Sequence, residues 1–357
     1  MKTIIFVVNT EYHLLVAGSL LLELYGDRER YDVRIVEVAP ENSPRFRSVA
    51  DRAALGVPYE QWNVDEIGKS QEGPLTEKVR SLLELKADML VIFHDDHPIN
   101  VYLARKVSES GGKVCLAPDG MKPYYSLDFG SLRNALHVAS RTVATYKALR
   151  SSGLTPDFLY RKRFGYGSNP DVDELWVRYP DFVRNNAEKD VVDIQLFERE
   201  STVEKLKTVF GFSAPDAGLH GIVFYVNNIL ADEKAYGEEV RALSYLKEVS
   251  GGRMVAKLHP NTPEYQVRAL RGMGIEILQN SIPAELYITS LSNSAVLGGW
   301  STSLLMRNAS CRFYWLRNYF AKNGLSFSHM DLVNPTDHID EIDDLKSVKL
   351  QIDLDRE

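Results

Sequence analysis

Short runs of β-branched and aromatic residues alternate with longer amphipathic runs along the chain, the pattern expected of parallel sheets covered by helices on both faces. In the first half, Thr3 to Val8, Asp32 to Val38, Met89 to Phe93 and Lys113 to Leu116 read as buried strands, with Glu174 to Val177 as the last strand of that half. Leu14 to Leu24 is apolar along its length and Ile99 to Ser108 follows a strand through a polar turn, so both are predicted helices of βαβ units. The small and turn-forming residues from Phe210 to Gly218 mark a linker. Beyond it, Gly221 to Val226, Met254 to Lys257, Ile275 to Leu278 and Ala295 to Gly298 are predicted strands, with a helix from Glu233 to Val249. The fold class is therefore α/β, with two Rossmann-like domains, 1–212 and 213–357. The acidic stretch from Asp337 onward is expected at the surface.

Composition agrees with this division. At 357 residues the chain exceeds the roughly 250 to 300 at which single cores stop growing. The formal charge of −7 argues against a general nucleic-acid or anionic-membrane binder. The apolar opening Thr3 to Val8 is short and meets Asn9, Glu11 and His13 at once, so it reads as a strand and not as a signal peptide. No long uncharged apolar run suggests a membrane span. Cys115 and Cys311 lie far apart, which favours neither a disulfide framework nor a zinc motif and fits a reducing cytoplasm.

In open α/β sheets ligands gather at the carboxyl ends of strands, and three such ends carry chemistry. Ala117-Pro118-Asp119-Gly120 follows one strand, and its carboxylate can serve as a general base; Pro-Asp-Gly is also a common turn. Lys257-Leu258-His259-Pro260 ends another, and a lysine two residues before a histidine suits a departing phosphate, the alternative being a structural histidine. Gly298-Gly299-Trp300-Ser301-Thr302-Ser303 joins a strand to an apolar helix start, where glycines and hydroxyls can hold an anion or simply cap the helix.

At these residues the chain resembles bacterial sialyltransferases, the lipo-oligosaccharide sialyltransferases and capsule polysialyltransferases of GT-B architecture. Those families carry, in order, an acidic D/E-D/E-G motif, an HP motif and a Ser-Ser/Thr motif. Their counterparts here are Pro118-Asp119-Gly120, His259-Pro260 and Ser301-Thr302, and Val8 to Leu15 is similar to the family's first strand and loop. The resemblance implies two domains facing a central cleft, with Asp119 as general base, His259 assisting departure of cytidine monophosphate (CMP), and Ser301 and Thr302 on its phosphate. Ser281 to Glu285 resembles a segment whose glutamate approaches the ribose, which nominates Glu285. Pro118 departs from the family by replacing its first acid.

The remaining candidates surround these motifs. Asn9, Thr10 and His13 follow the first strand, and His94 and Asp95 lie in the loop Phe93 to Pro98; all are candidates for lining the acceptor side. A metal held by that loop is disfavoured, since adjacent residues point in different directions. Asn227 ends the first strand of the second half, where an amide can meet a base or ribose. Arg133, Arg141, Lys147 and Arg150 alternate with apolar residues in a segment that can touch an anionic membrane bearing a lipid-linked acceptor, although a solvated helix face is the preferred reading.

The expected function is an inverting transfer of sialic acid, or of a related nonulosonate or Kdo-type sugar, from a CMP-activated donor to a hydroxyl of a capsule or lipo-oligosaccharide glycan. No metal or other cofactor is expected. The expected setting is the cytoplasm, including the periphery of the membrane's inner face. The alternatives are a non-catalytic nucleotide- or glycan-binding module and a sugar-nucleotide epimerase.

Overall fold

The computed structural model describes residues 1–39, 49–63, 74–127, 131–151, 154, 165–184, 189–215, 218–226, 233–251, 253–259, 262–278, 282–299, 301–324 and 330–348. The chain divides into two compact units, Met1–Val209 with His329–Pro335, and Phe210–Ser328 with Thr336–Glu357. The boundary thus falls at Val209/Phe210 in place of the expected 212/213, and a late segment returns to the first unit.

The first unit runs β1 (Lys2–Val8), α1 (Glu11–Leu24), β2 (Tyr31–Ala39), β3 (Tyr59–Asn63), α2 (Pro74–Glu84), β4 (Met89–Ile92), α3 (Pro98–Glu109), β5 (Lys113–Leu116), β6 (Tyr125–Leu127), α4 (Ser131–Ser151), β7 (Glu174–Val177), β8 (Asp190–Asp193) and α5 (Glu200–Val209). Seven of these strands form a parallel sheet in the order β3-β2-β1-β4-β5-β7-β8. Glu174 to Val177 is therefore followed by one more strand, β8, at the sheet edge.

The central strands are buried on both faces, as their unbroken apolar runs require. Ile5, Val7, Leu90, Ile92 and Leu103 share one core cluster. Helix α1 starts at Thr10, whose hydroxyl accepts the His13 N–H at 3.2 Å. Its residues from Leu14 to Leu21 are all buried, which explains an apolar run with no polar stripe. Helices α1 and α5 approach closely at Gly18, where an added Cβ would lie 2.6 Å from a Leu206 methyl.

The second unit contains β9 (Val223–Val226), α6 (Glu233–Ser250), β10 (Met254–Lys257), α7 (Glu264–Gly272), β11 (Glu276–Ile277), α8 (Ala284–Ile288), β12 (Ser294–Gly298), β13 (Cys311–Trp315) and α9 (Arg317–Lys322). Next in the chain is β14 (Met330–Leu332), part of the first unit, where it pairs antiparallel with β6, and then β15 (Ile339–Glu341) of the second. The second sheet is parallel in the order β11-β10-β9-β12-β13-β15. The acidic stretch after Asp337 is not merely surface: β15 completes the sheet, and Ile339, Ile342, Leu345 and Val348 are buried. Its acids alternate with apolar residues that face the core.

Both sheets change winding direction at one point, between β1 and β4 in the first and between β9 and β12 in the second. At such a switch the connections leave to opposite sides and open a crevice at the strands' carboxyl ends.

Candidate active site

In the first unit the switch point brings together the residues that follow β1, β4 and β5. Register pairs Val7 with Ile92 and Ile92 with Leu116, so the three strands end level with one another. Ala117 continues the ladder by donating to the Ile92 carbonyl, and the buried Tyr166 hydroxyl donates to the carbonyls of Leu116 and Ala117. The chain then turns at Gly120, whose φ of 66° suits a residue without a Cβ. That turn carries Lys122 back onto Asp119.

Asp119 is the centre of the resulting cluster. Its Oδ1 lies 3.0 Å from His13 Nε2, and its Oδ2 lies 2.9 Å from His94 Nδ1 and is paired with the Lys122 ammonium. Lys122 Nζ is also 3.0 Å from His94 Nδ1. The His13 tautomer follows from its other nitrogen. The Asn9 backbone N–H donates to Nδ1 at 3.2 Å, so a neutral ring carries its proton on Nε2 and donates it to Asp119. His13 stacks on Phe93, with ring centroids 4.5 Å apart and planes at 9°, and meets the His94 ring edge-on at 4.8 Å.

These contacts set the charges. Burial pushes the His13 imidazole down to about 4 against the raising pull of Asp119, so the ring is neutral near neutral pH. Burial would raise the Asp119 carboxyl, but hydrogen bonds from His13 and His94 outweigh it and hold the group well below its ordinary range. Burial would lower Lys122, and the charge of Asp119 raises it instead. The site therefore holds a carboxylate and an ammonium beside two imidazoles.

Asn9 and Thr10 support this centre from behind. Asn9 is buried, donates through Nδ2 to the Val38 carbonyl and accepts from Asn100 Nδ2 at 3.2 Å. Asn100 also donates to the His94 carbonyl, and Thr10 caps α1. Asp95 contributes its carbonyl to Asn169. Helix α3 is capped at His97 without a side-chain hydrogen bond.

Lys122 and Phe93 are the site members that the sequence motifs omit. A lysine three residues after Asp119 was the available signal, readable only once the Gly120 turn is known.

The ligand-bearing atoms of His13, His94 and Asp119 lie within 4.8 Å of one another, close enough to hold a metal ion. Two observations oppose that use. The His13 nitrogen that faces the group bears a proton, and the Lys122 ammonium occupies the carboxylate.

In the second unit the candidate residues are less closely joined. Lys257 is buried and donates to the Leu258 carbonyl at 3.1 Å, whereas His259 is exposed, so the two do not share one environment. The His259 carbonyl accepts from the backbone and hydroxyl of Thr262, which fixes the turn. Glu285 is buried, and Ser303 Oγ donates to it at 2.8 Å. Ser301 caps a four-residue 3₁₀ turn, Thr302–Leu305, by accepting the Ser303 N–H. Thr302 opens the same turn and is partly exposed. Glu285 and the Ser301–Ser303 turn thus meet after β12, at the second switch point. Pro260, Asn227, Ser281 and Trp300 lie outside the described residues.

Helix α4 presents Arg141, Lys147 and Arg150 to solvent together with Leu136 and Val143, while the side chain of Arg133 lies outside the described residues. Among the described residues no helix is long and apolar enough to cross a membrane.

No family model and no curated protein matches the chain. Solved structures do. An α/β-galactoside α-2,3-sialyltransferase from Photobacterium phosphoreum superposes with a TM-score of 0.52 at 11% identity, covering 98% of this chain and 100% of that one. The GT-B domain of a Photobacterium damselae sialyltransferase gives 0.50 at 13% identity, with 96% and 100% covered. A UDP-GlcNAc 2-epimerase from Methanocaldococcus jannaschii gives 0.52 at 13% identity, with 97% and 90% covered. The architecture is therefore the GT-B fold, two parallel α/β sheets with helices.

Proposed function

We propose that the chain is an inverting glycosyltransferase that moves sialic acid, or a related nonulosonate or Kdo-type sugar, from a CMP-activated donor to a hydroxyl of a bacterial capsule or lipo-oligosaccharide. The observation that carries this reading is the Asp119 carboxylate, fixed between two imidazoles and a lysine at the switch point of a GT-B fold. Its role is to deprotonate the acceptor hydroxyl as that oxygen attacks the sugar. His259, with Ser301 and Thr302, is assigned to the leaving phosphate, and Glu285 to the ribose. Lys257, at the end of β10, is assigned to supply positive charge to the same phosphate. The His13 tautomer and the Lys122 ion pair support a reaction that needs no metal. The basic face of α4 supports work at the inner surface of the cytoplasmic membrane on a lipid-linked acceptor.

The similarity to the Methanocaldococcus jannaschii epimerase favours epimerisation of a sugar nucleotide as the second reading. A purely binding role gives no reason for so interlocked an acid–base cluster.

A melting-temperature screen of CMP, UDP, GDP and ADP, followed by product analysis with CMP-sugars and glycan acceptors, tests the proposal. A ligand at a hundredfold excess over its Kd stabilises by about 2.7 kcal/mol, enough to rank the four. CMP should give the largest shift, and acceptor-dependent product should form in excess EDTA. Stabilisation by UDP alone, with a UDP-sugar interconverted in the absence of acceptor, would establish the epimerase instead.

A further inference from the structure

The turn assigned to the donor phosphate is too short to hold itself. Thr302–Leu305 is a single 3₁₀ turn of four residues, so few of its carbonyls can be satisfied within it. Gly298 and Gly299 lead into it without side chains that could anchor it. Its fastenings come from neighbouring elements. Trp315, at the end of β13, donates its indole N–H to the Gly299 carbonyl at 2.7 Å. His338, just before β15, meets the Leu304 carbonyl through Nε2 at 3.1 Å. Leu304 itself packs over Gly298, where an added Cβ would lie 3.3 Å from its methyl.

One tautomer of the neutral His338 ring satisfies all of its contacts. The Leu304 carbonyl can only accept, so Nε2 carries the proton. Nδ1 is then the acceptor for the Thr336 hydroxyl, whose oxygen in turn accepts the His338 backbone N–H at 3.0 Å. The ring also meets the buried Phe313 edge-on, with centroids 5.1 Å apart and planes at 90°. Thr336 is the residue at which the chain re-enters the second unit after β14. On that return it orients one imidazole and aims its N–H at the phosphate turn.

We propose that His338 is a positioning residue for the donor phosphate, acting through the Leu304 carbonyl to hold the turn that presents Ser301 and Thr302. The inference rests on the assignment of the phosphate to those two hydroxyls and adds the group that sets their geometry.

Hydrogen bonds to a phosphate oxygen weaken steeply with distance and angle, so hydroxyls on a loosely held turn bind it poorly even when they are present. Trp315 clamps the chain before Ser301, and His338 clamps it after Thr302. The two partly exposed hydroxyl residues lie between the clamps. Without the imidazole N–H the Trp315 bond and the packing of Leu304 remain. The turn then keeps its place and loses its fixed orientation.

The test uses the full-length protein and calorimetric titration with CMP and with cytidine, which differ only in the phosphate. His338→Phe keeps a ring against Phe313 and removes the donor, His338→Gln keeps an N–H of similar reach, and melting curves check that both fold. His338→Phe should bind CMP about tenfold more weakly and cytidine within about twofold of wild type, the factor expected when a hydrogen bond to a charged group is misaligned. Donor KM should rise by about the same factor, with kcat at saturation within about threefold of wild type. His338→Gln should recover most of the loss. Thr336→Val, which frees the ring to turn, should lower the preference for CMP over cytidine by about threefold, and it decides the matter if His338→Phe does not fold. Equal weakening of CMP and cytidine in His338→Phe overturns the inference and leaves His338 structural, as does a folded His338→Gln that recovers nothing. If the wild type binds CMP no more tightly than cytidine, the phosphate assignment falls and this inference with it. A wild type that prefers CMP, beside folded variants that keep the whole preference, overturns only the role of His338.

Discussion

The two switch points of this molecule are built by the same rule and finished differently. After β1, β4 and β5 the charged and titratable groups bind one another, and Asp119 alone engages His13, His94 and Lys122. After β10 and β12 the polar groups are dispersed: His259 is exposed, Lys257 is turned to a backbone carbonyl, and Glu285 is satisfied by Ser303. The first arrangement fixes an ion pair and ring orientations before any substrate arrives. The second fixes backbone turns, with His259 exposed at one of them. A fold sets where chemistry is placed, and the local hydrogen bonds decide which kind of chemistry it is.

The largest effect that can break this contrast is at Asp119. Asp119→Asn keeps the side chain's shape but removes the charge that orders His94 and balances Lys122. The expected loss in kcat is about 10² to 10⁴-fold, the usual contribution of a positioned general base. CMP affinity should stay within about twofold, since the nucleotide is assigned to the other unit. Titration of CMP by melting temperature, set beside the rate, checks both. Equal losses in rate and in nucleotide binding would erase the distinction between the two strand ends.

Acid sensitivity offers the next largest effect. The buried His13 titrates at about 4 in the fold against 6.5 ordinarily. Between those values the unfolded chain binds a proton that the folded chain refuses, so stability must fall as pH falls through that window. The difference amounts to roughly 3 kcal/mol for a fully buried ring. Asp119 acts elsewhere: its carboxyl is lowered, so its contribution is present above the ordinary value of 3.8 and lost only as pH falls below it. Melting temperatures from pH 7 to 4 should decline in the wild type and decline less in His13→Gln. A wild-type curve that is flat across that window would mean the site is not sealed as described.

The sheets were largely legible in the sequence because their central strands are buried on both faces and read as continuous apolar runs. Strands β3 and β8 were not, since Glu60, Gln61, Asp190 and Asp193 interrupt the pattern at the sheet's two edges. Strand β13 carries an aromatic signal in Phe313-Tyr314-Trp315 that the periodicity reading omits, and β15 hides among acids. At the site, Asp119, His13 and His94 could be nominated singly because each follows a strand. Their convergence could not, because it depends on strand order. Lys122 joins through a turn set by Gly120, and no residue pattern around Asp119 announces that return. The burial of Glu285 is hidden for a similar reason: its partner, Ser303, is eighteen residues away and on another element.

The smallest expected effect sharpens the other half of the comparison. His259 is exposed, and its backbone carbonyl holds the Thr262 turn. His259→Ala removes the imidazole and leaves that turn intact. Exposed positions away from such features usually tolerate substitution within about 0.5 kcal/mol, so the melting temperature should barely move. The donor should bind roughly tenfold more weakly if the ring donates to a phosphate oxygen, since a hydrogen bond to a charged group contributes about 1.5 to 3 kcal/mol. Calorimetric titration with CMP, beside a melting curve without ligand, separates the two quantities. A variant that melts early yet binds CMP normally would make His259 a structural residue and move the phosphate site to the Ser301–Ser303 turn. The predicted pairing, unchanged stability with weakened binding, is what a ligand-facing side chain on a prebuilt turn should give.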